Sequence, residues 1–295
     1  MTALWRRQPV GIVGLGLIGG SLGLDLQARG AVVKALVHRQ ATAERARQRG
    51  LASAVSTDPE VLRGCGLVVL ALPLDRLLDP DPALLAALPA DAVLTDVGSV
   101  KEPVLARWQP LAGSRFVASH PMAGTARAGV EAGEAGLFQG RPWVATPAAD
   151  TDPGALAAVQ ELATALGARW LTCSAAEHDR AVALISHLPV LVSAALVRSA
   201  DGAARAAAAA DPAAADLPRL VRELASSGFA DTSRVGGGNP ELGTLMARCN
   251  RPALLTALAA YREALEALEA RVSEASWPAL QAELEACQRL RPEFL

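Results

Sequence analysis

Pro9-Val-Gly-Ile-Val-Gly-Leu-Gly-Leu-Ile-Gly-Gly-Ser-Leu-Gly23 is the stretch on which the reading of this chain turns. It holds a short apolar strand from Val10 to Val13, then Gly14-x-Gly16-x-x-Gly19, then the apolar start of a helix that runs to about Arg29. That order matches the dinucleotide fingerprint. One glycine makes the tight turn, one lets backbone approach a pyrophosphate, and one lets helix pack closely on strand. The phosphates are then expected at the N-terminus of the helix, where free backbone N–H groups and the helix dipole favour negative charge. Gly14, Gly16, Leu17, Ile18 and Gly19 are the cofactor contacts this turn predicts.

Working outward, Ala31 to His38 reads as a second strand, Thr42 to Arg49 as a short charged helix closed by Gly50, and Leu51 to Ser56 as a third strand. Leu67 to Pro73 is a continuous apolar run, the pattern of a strand buried on both faces. Ala92 to Gly98 and Arg115 to Ser119 repeat it, with helices expected at Leu74 to Leu88 and Glu102 to Trp108. Strands alternating with helices predict an α/β fold with a doubly wound parallel sheet of the Rossmann type. In such a sheet the ligand lies beyond the carboxyl ends of the strands. Leu72 and Pro73 are therefore further expected cofactor contacts, and Gly98, Ser99 and His120 point at the same crevice.

The end of the second strand speaks to which dinucleotide. An NAD-selecting fold places an acid about twenty residues beyond the glycines, where it accepts hydrogen bonds from the ribose 2′-hydroxyl. Here Leu36-Val-His-Arg39-Gln-Ala-Thr42 contains no acid before Glu44. A guanidinium can pair bidentately with a 2′-phosphate, so Arg39 and Thr42 predict NADP.

Composition narrows the function classes. The 295 residues suffice for two ordinary domains, and a formal net charge of -2 supplies no excess basic surface for nucleic acid. Cys65, Cys173, Cys249 and Cys287 are far apart and contain no C-x-x-C, which predicts neither a metal site nor a disulfide framework. The N-terminus lacks a signal-peptide core, and no apolar run approaches the roughly 20 residues that span a bilayer. A cytoplasmic protein with no membrane partner is the expectation.

Trp143 to Thr146, a helix from Pro153 to Leu166, and Arg169 to Thr172 extend the first domain. Beyond Ala175 the strand pattern stops, which predicts a dinucleotide domain over residues 1–173 and an all-helical domain over residues 174–295. Glu177 to Val197 reads as a long helix kinked at Pro189, and Asp201 to Asp216 as a solvated helix end and connection. Ser226 to Pro240 reads as a turn-rich loop too long for a mere connection, and such loops are usually functional. Leu254, Leu258, Tyr261, Leu265, Leu268 and Val272 recur at steps of four and three, a seam that wants a partner helix, within the subunit or across a dimer.

Three polar clusters carry the chemistry. Asp96-Val-Gly-Ser99-Val-Lys101 and Ser119-His120-Pro-Met-Ala-Gly-Thr125 each follow a buried strand. Neutral imidazole is the usual general base near neutral pH, so His120 is the candidate to receive a proton as hydride leaves, with Ser99 to orient it. His187, in Ile185-Ser-His-Leu-Pro189, and Arg234, in the glycine-rich loop, are candidates on the second domain, since anionic substrates need guanidinium clamps. His178 and His38 attract no such role.

Together these motifs carry a resemblance. The chain resembles the prephenate/arogenate dehydrogenase family of tyrosine biosynthesis, and within it the short, single-function NADP-dependent arogenate dehydrogenases. The likeness spans nearly the whole chain, through Gly14 to Ser21, Asp96 to Lys101, Ser119 to Thr125, Ile185 to Pro189 and Asp231 to Pro240. It implies an N-terminal dinucleotide domain, an all-α dimerisation domain that makes a homodimer, and an active site between them. It also implies roles: His120 as the catalytic acceptor from the ring hydroxyl, Ser99 as its partner, and Arg234, His187 and Thr125 as substrate contacts. The chain ends at Leu295 without a mutase or regulatory domain, so neither bifunctionality nor feedback control is implied. Oxidative decarboxylation of arogenate to tyrosine with NADP is the expected activity, with prephenate as the alternative substrate.

Two other classes fit the residues less well. A β-hydroxyacid dehydrogenase would need a lysine on the interdomain helix, and the two lysines, Lys34 and Lys101, lie elsewhere. A non-catalytic NADP-binding sensor would have no use for Ser99, His120 and Arg234 together.

Overall fold

The computed structural model describes residues 3–125 and 127–294. Six strands form one parallel sheet: β1 (Val10–Val13), β2 (Val33–Leu36), β3 (Ala54–Ser56), β4 (Leu67–Leu70), β5 (Val93–Asp96) and β6 (Phe116–Val117). Their order is β3-β2-β1-β4-β5-β6, so the sheet winds outward in both directions from β1 and β4. Every residue of β1 and β4 is buried, because helices cover both faces, which is why these strands are unbroken apolar runs. One buried cluster holds Ile12, Leu22, Leu26 and Leu162. The other, built around Leu70, Leu94, Trp108 and Phe116, holds the chain together on the opposite side.

Register sets the site. Val13 pairs with Leu36 and with Leu70, and Leu70 pairs with Asp96. The carboxyl ends of β1, β2, β4 and β5 are thus level, and the turns after them share one rim.

The expected single strand Arg115 to Ser119 is corrected. The chain leaves the large sheet after Val117 and enters a second one, in which β7 (Ser119–Pro121) pairs antiparallel with β8 (Pro142–Ala145), itself parallel to β9 (Arg169–Thr172). The expected helix from Leu74 to Leu88 is two, Leu74–Leu78 and Pro82–Ala87, because Pro80 and Pro82 forbid a continuous hydrogen-bond ladder.

From Ala175 every described element is helical. Ala175–Val182 opens with a full capping box, Ser174 and Glu177 each bonding the other's backbone N–H. It passes through a π-helical turn at Ala183–His187 into Leu188–Ala210. The wider turn accommodates Pro189 without ending the helix, and the helix runs well into the alanine-rich stretch expected to be a connection. By length and composition alone, Ala175–Ala210 could cross a membrane, which corrects the expectation that no such run exists. In the fold its inner face is built into the site, with His178, Asp179 and His187 buried.

The expected loop Ser226 to Pro240 is also corrected, since it holds the helix Ser227–Ser233 and a 3-10 turn, Arg234–Gly237. It packs on the long helix. Ser193 donates to the Thr232 carbonyl at 2.6 Å, and a Cβ on Gly236 would lie 2.6 Å from the Ala194 nitrogen. The seam helix Arg251–Ser273 is followed by Trp277–Leu290, which the sequence reading missed. At its start the seam is core, with Leu254 buried, whereas Tyr261, Leu265 and Val272 are exposed.

Candidate active site

The glycine turn after β1 shows the tight turn and the close helix packing its spacing implies. Gly14 has φ +96°, and a Cβ there would lie 2.4 Å from the Ala71 carbonyl. A Cβ on Gly19 would lie 2.0 Å from the Gly14 carbonyl, so only glycine lets the helix Leu17–Ala28 start so close to its strand. Gly16 is different. It caps that helix in extended conformation, and nothing lies within 4 Å of where its Cβ would be. No side chain caps the first turn of that helix, and such a free helix N-terminus next to open space suits an anion. Leu17, Ile18 and Leu72 are half-buried beside it, and Pro73 is exposed at the start of its helix.

Arg39 is exposed on the same rim and caps the helix Gln40–Gln48, with Thr42 half-buried one turn on. Its Nε donates to His38 Nε2 at 3.1 Å, leaving the rest of the guanidinium facing solvent.

Across the rim, the turn after β5 and the strand β7 are tied by a buried ion pair. Lys101 and Asp96 are both fully buried and in contact, and Lys101 Nζ also donates to the Ser119 carbonyl at 2.7 Å. Burial pulls the Lys101 pKa below its ordinary value, against the opposing pull of Asp96. Asp96 further accepts from the backbone N–H of Gly98 at 2.7 Å and of Ser119 at 3.1 Å. Ser119 Oγ in turn takes the Trp143 indole N–H at 3.0 Å. The residues on either side of Ser99 and His120 are therefore locked.

His120 is half-buried. Its Nδ1 lies 3.0 Å from Nε2 of His178, whose own Nδ1 lies 2.7 Å from Oδ1 of Asp179. The two rings meet edge to face, with centroids 5.2 Å apart. Desolvation, reinforced by His178, Lys101 and His187, pushes the His120 pKa well below the ordinary imidazole value. The ring therefore favours its neutral form.

Asp179 is 1 % exposed and reaches across to the sheet, accepting from the backbone N–H of Lys101 at 2.7 Å and of Glu102 at 2.9 Å. It thereby caps the helix Glu102–Ala112. Its own carbonyl accepts from Asn250 Nδ2 at 2.7 Å, and that nitrogen lies 3.2 Å from His187 Nδ1. Burial lowers the His187 pKa to about 4, with Asp179 opposing.

Ser99 Oγ and His187 Nε2 are among five buried side-chain polar atoms that lack a hydrogen bond of good geometry among the described residues. The expectation that Ser99 orients the His120 ring is corrected accordingly, since that work falls to His178. His178, to which the sequence assigns no role, is the residue bonded to the His120 ring. Its signal was an adjacent acid, the His178-Asp179 pair, in the first turns of a capped helix.

Arg234 is exposed on the 3-10 turn and has no ion-pair partner among the described residues. Thr125 is exposed too, its Oγ1 accepting from the Arg127 N–H at 3.2 Å. It lines a small polar cavity of about 220 Å³ with Gly124, Glu134, Gln139 and Arg141. That cavity does not include His120 or Ser99.

Comparisons with known proteins agree with this arrangement. The family described as "Prephenate dehydrogenase, nucleotide-binding domain" matches residues 22–172, and "Prephenate dehydrogenase, dimerization domain" matches residues 174–286. Cyclohexadienyl dehydrogenase of Zymomonas mobilis is 33% identical over 253 residues, covering 84% of this chain and 83% of that protein. Prephenate dehydrogenase of Bacillus subtilis is 29% identical over 78% of this chain and 61% of its own length. Among solved structures, Synechocystis arogenate dehydrogenase is 40% identical with TM-score 0.78, over 97% of this chain and all of that one. Prephenate dehydrogenase of Aquifex aeolicus, solved with hydroxyphenyl propionate and NAD+, shares the fold, with TM-score 0.84 at 24% identity over 98% of both chains. With its glycine cradle, its rim of strand ends and a neutral histidine between sheet and helices, this chain belongs to the prephenate dehydrogenase family of tyrosine biosynthesis.

Proposed function

We propose that the protein oxidises arogenate to tyrosine with NADP, as a homodimer whose dinucleotide domain ends near Cys173. The observation that carries the reading is the half-buried His120, joined at 3.0 Å to His178 and through it to the buried Asp179. The 40% identity to an arogenate dehydrogenase over almost the whole chain favours arogenate over prephenate. Prephenate is the second reading, favoured by the family descriptions and the Bacillus relative.

The substrate ring carries a hydroxyl at one end and a carboxylate at the other. When bound, the nicotinamide cofactor supplies the acceptor for the hydride. The ring carbon must be held about 3 to 3.5 Å from that acceptor, and the hydroxyl proton must leave. His120 takes it, because a base kept neutral by burial is ready to accept. Loss of the carbon-bound hydrogen as hydride together with the hydroxyl proton makes a vinylogous ketone, and loss of carbon dioxide then aromatises the ring. His187 and Ser99 offer buried polar atoms to the bound molecules, and Arg234 and Thr125 contact substrate, Arg234 through a carboxylate. Gly14, Gly16, Leu17, Ile18, Gly19, Leu72 and Pro73 hold the cofactor, and Arg39 with Thr42 takes the 2′-phosphate.

The apolar face of the helical half supports the homodimer. Leu184, Ile185, Leu255, Leu265 and Trp277 are each more than half exposed or close to it, and exposed apolar surface on this scale marks an interface. Steady-state kinetics with arogenate and prephenate, each with NADP and NAD, tests the proposal. A higher kcat/KM for prephenate, or for NAD, refutes the corresponding half.

A further inference from the structure

Asp179 touches the surroundings of two histidines through two different groups. Its carboxylate has only lone pairs to offer, so His178, 2.7 Å away, must carry a hydrogen on Nδ1. In the neutral ring Nε2 is then a bare acceptor. It faces His120 Nδ1 at 3.0 Å, so that nitrogen must be the donor. His120 Nε2 is left with a free lone pair.

The backbone carbonyl of Asp179 works the other way. It can only accept, so it fixes the Asn250 amide with its NH2 group inward, at 2.7 Å. The same NH2 lies 3.2 Å from His187 Nδ1, which must therefore be an acceptor. The hydrogen of His187 is then on Nε2, a buried atom turned toward the Ser99 backbone.

We propose that Asp179 is a positioning residue that sets opposite tautomers in His120 and His187, leaving His120 Nε2 as the acceptor in the cleft and the His187 N–H turned toward the Ser99 backbone, and that His178 receives a proton during turnover. This last step rests on the reading of His120 as the base. The substrate O–H bond breaks as an Nε2–H bond forms on His120. The Nδ1–H bond of His120 then breaks as an Nε2–H bond forms on His178. The positive charge leaves the ring that faces Lys101, His178 and His187 and comes to rest beside the Asp179 carboxylate. The logic is that of a histidine held by a buried acid in the serine hydrolases, where the acid fixes tautomer and stabilises the imidazolium, with a second ring interposed.

The test reads tautomers directly. The chain has four histidines, so the full-length protein labelled with nitrogen-15 in histidine can be assigned by single His→Gln substitutions. Long-range proton–nitrogen correlation near neutral pH, without ligands, is expected to show Nδ1–H on His120 and His178 and Nε2–H on His187. Nε2–H on His120, or Nδ1–H on His187, overturns the proposal. Asn250→Asp replaces the amide donor by an acceptor and is expected to move the His187 hydrogen to Nδ1, leaving His120 unchanged; an unmoved His187 overturns the role given to Asn250. For the relay, His178→Gln is expected to lower kcat roughly 10² to 10⁴, with KM changed only a few-fold and the acid limb of the kcat profile displaced. Unaltered kcat and limb overturn it. The spectra need no substrate, so an error in the substrate reading leaves the tautomer result intact.

Discussion

The ammonium of Lys101 is clasped by the Asp96 carboxylate with both side chains wholly out of solvent. Attraction inside a protein offsets the desolvation of two charges, but removing one partner strands the other, at a cost of about 3 to 5 kcal/mol. Lys101→Met should therefore lower stability by that amount in urea unfolding. The double change with Asp96→Asn should recover part of it. A Lys101→Met variant within 1 kcal/mol of the parent would mean that the pair is not charged in the fold.

His120→Asn should reduce kcat by roughly 10² to 10⁴, the usual worth of a general base, with cofactor affinity nearly intact. Because burial depresses the His120 pKa, the imidazole stays neutral as pH drops through its ordinary value of 6.5. The acid limb of kcat/KM should accordingly lie below pH 6.5 rather than at it. A limb at or above that value argues for a different base.

His187 bears on stability. Its folded pKa of about 4 lies below the ordinary 6.5, so between those values the unfolded chain binds the extra proton and the folded one does not. Stability should be full above pH 6.5 and should decline as pH falls toward 4. Urea midpoints at pH 7 and pH 5 measure the decline, and His187→Gln should make it shallower. An unchanged slope in the variant would assign the loss to other groups.

Arg39→Ala should shift the ratio of kcat/KM values for NADP and NAD toward NAD, because the exposed guanidinium lies at the end of β2 with no acid nearby. If the ratio does not move, Arg39 is a solvated side chain.

Arg234→Ala should raise the substrate KM by an amount worth about 1.5 to 3 kcal/mol, the range for a charge-assisted bond. An unaltered KM would leave the arginine without a role in binding.

Much of the large sheet was legible because β1, β4 and β5 are short apolar runs bounded by Gly and Pro. The glycine turn was legible because Gly14 and Gly19 each answer a separate steric demand. The break at Ala118 was not, since Phe116-Val-Ala-Ser119 reads as one run although its two ends belong to different sheets. Ser226 to Pro240 has a turn-like composition, and only its packing on Ser193 gives it helical structure. His120 and Ser99 could be singled out by their place after strands. His178 offered only its neighbour Asp179 as a signal, and its link to His120, 58 positions away in the chain, shows only in the fold.

The two rims of the sheet differ in what they tolerate. At the carboxyl rim, Gly14 and Gly19 are pressed against backbone, and neither could gain a single methyl group. The turns leading into β2, β3, β4 and β6 pass through Gly30, Gly50, Gly64 and Gly113, each with positive φ and nothing within 4 Å of a Cβ. Extra chain spliced in at those amino-end turns would project away from the strand ends that build the cleft. That end is the natural place to graft a reporter, a tether or a sensing module onto this enzyme.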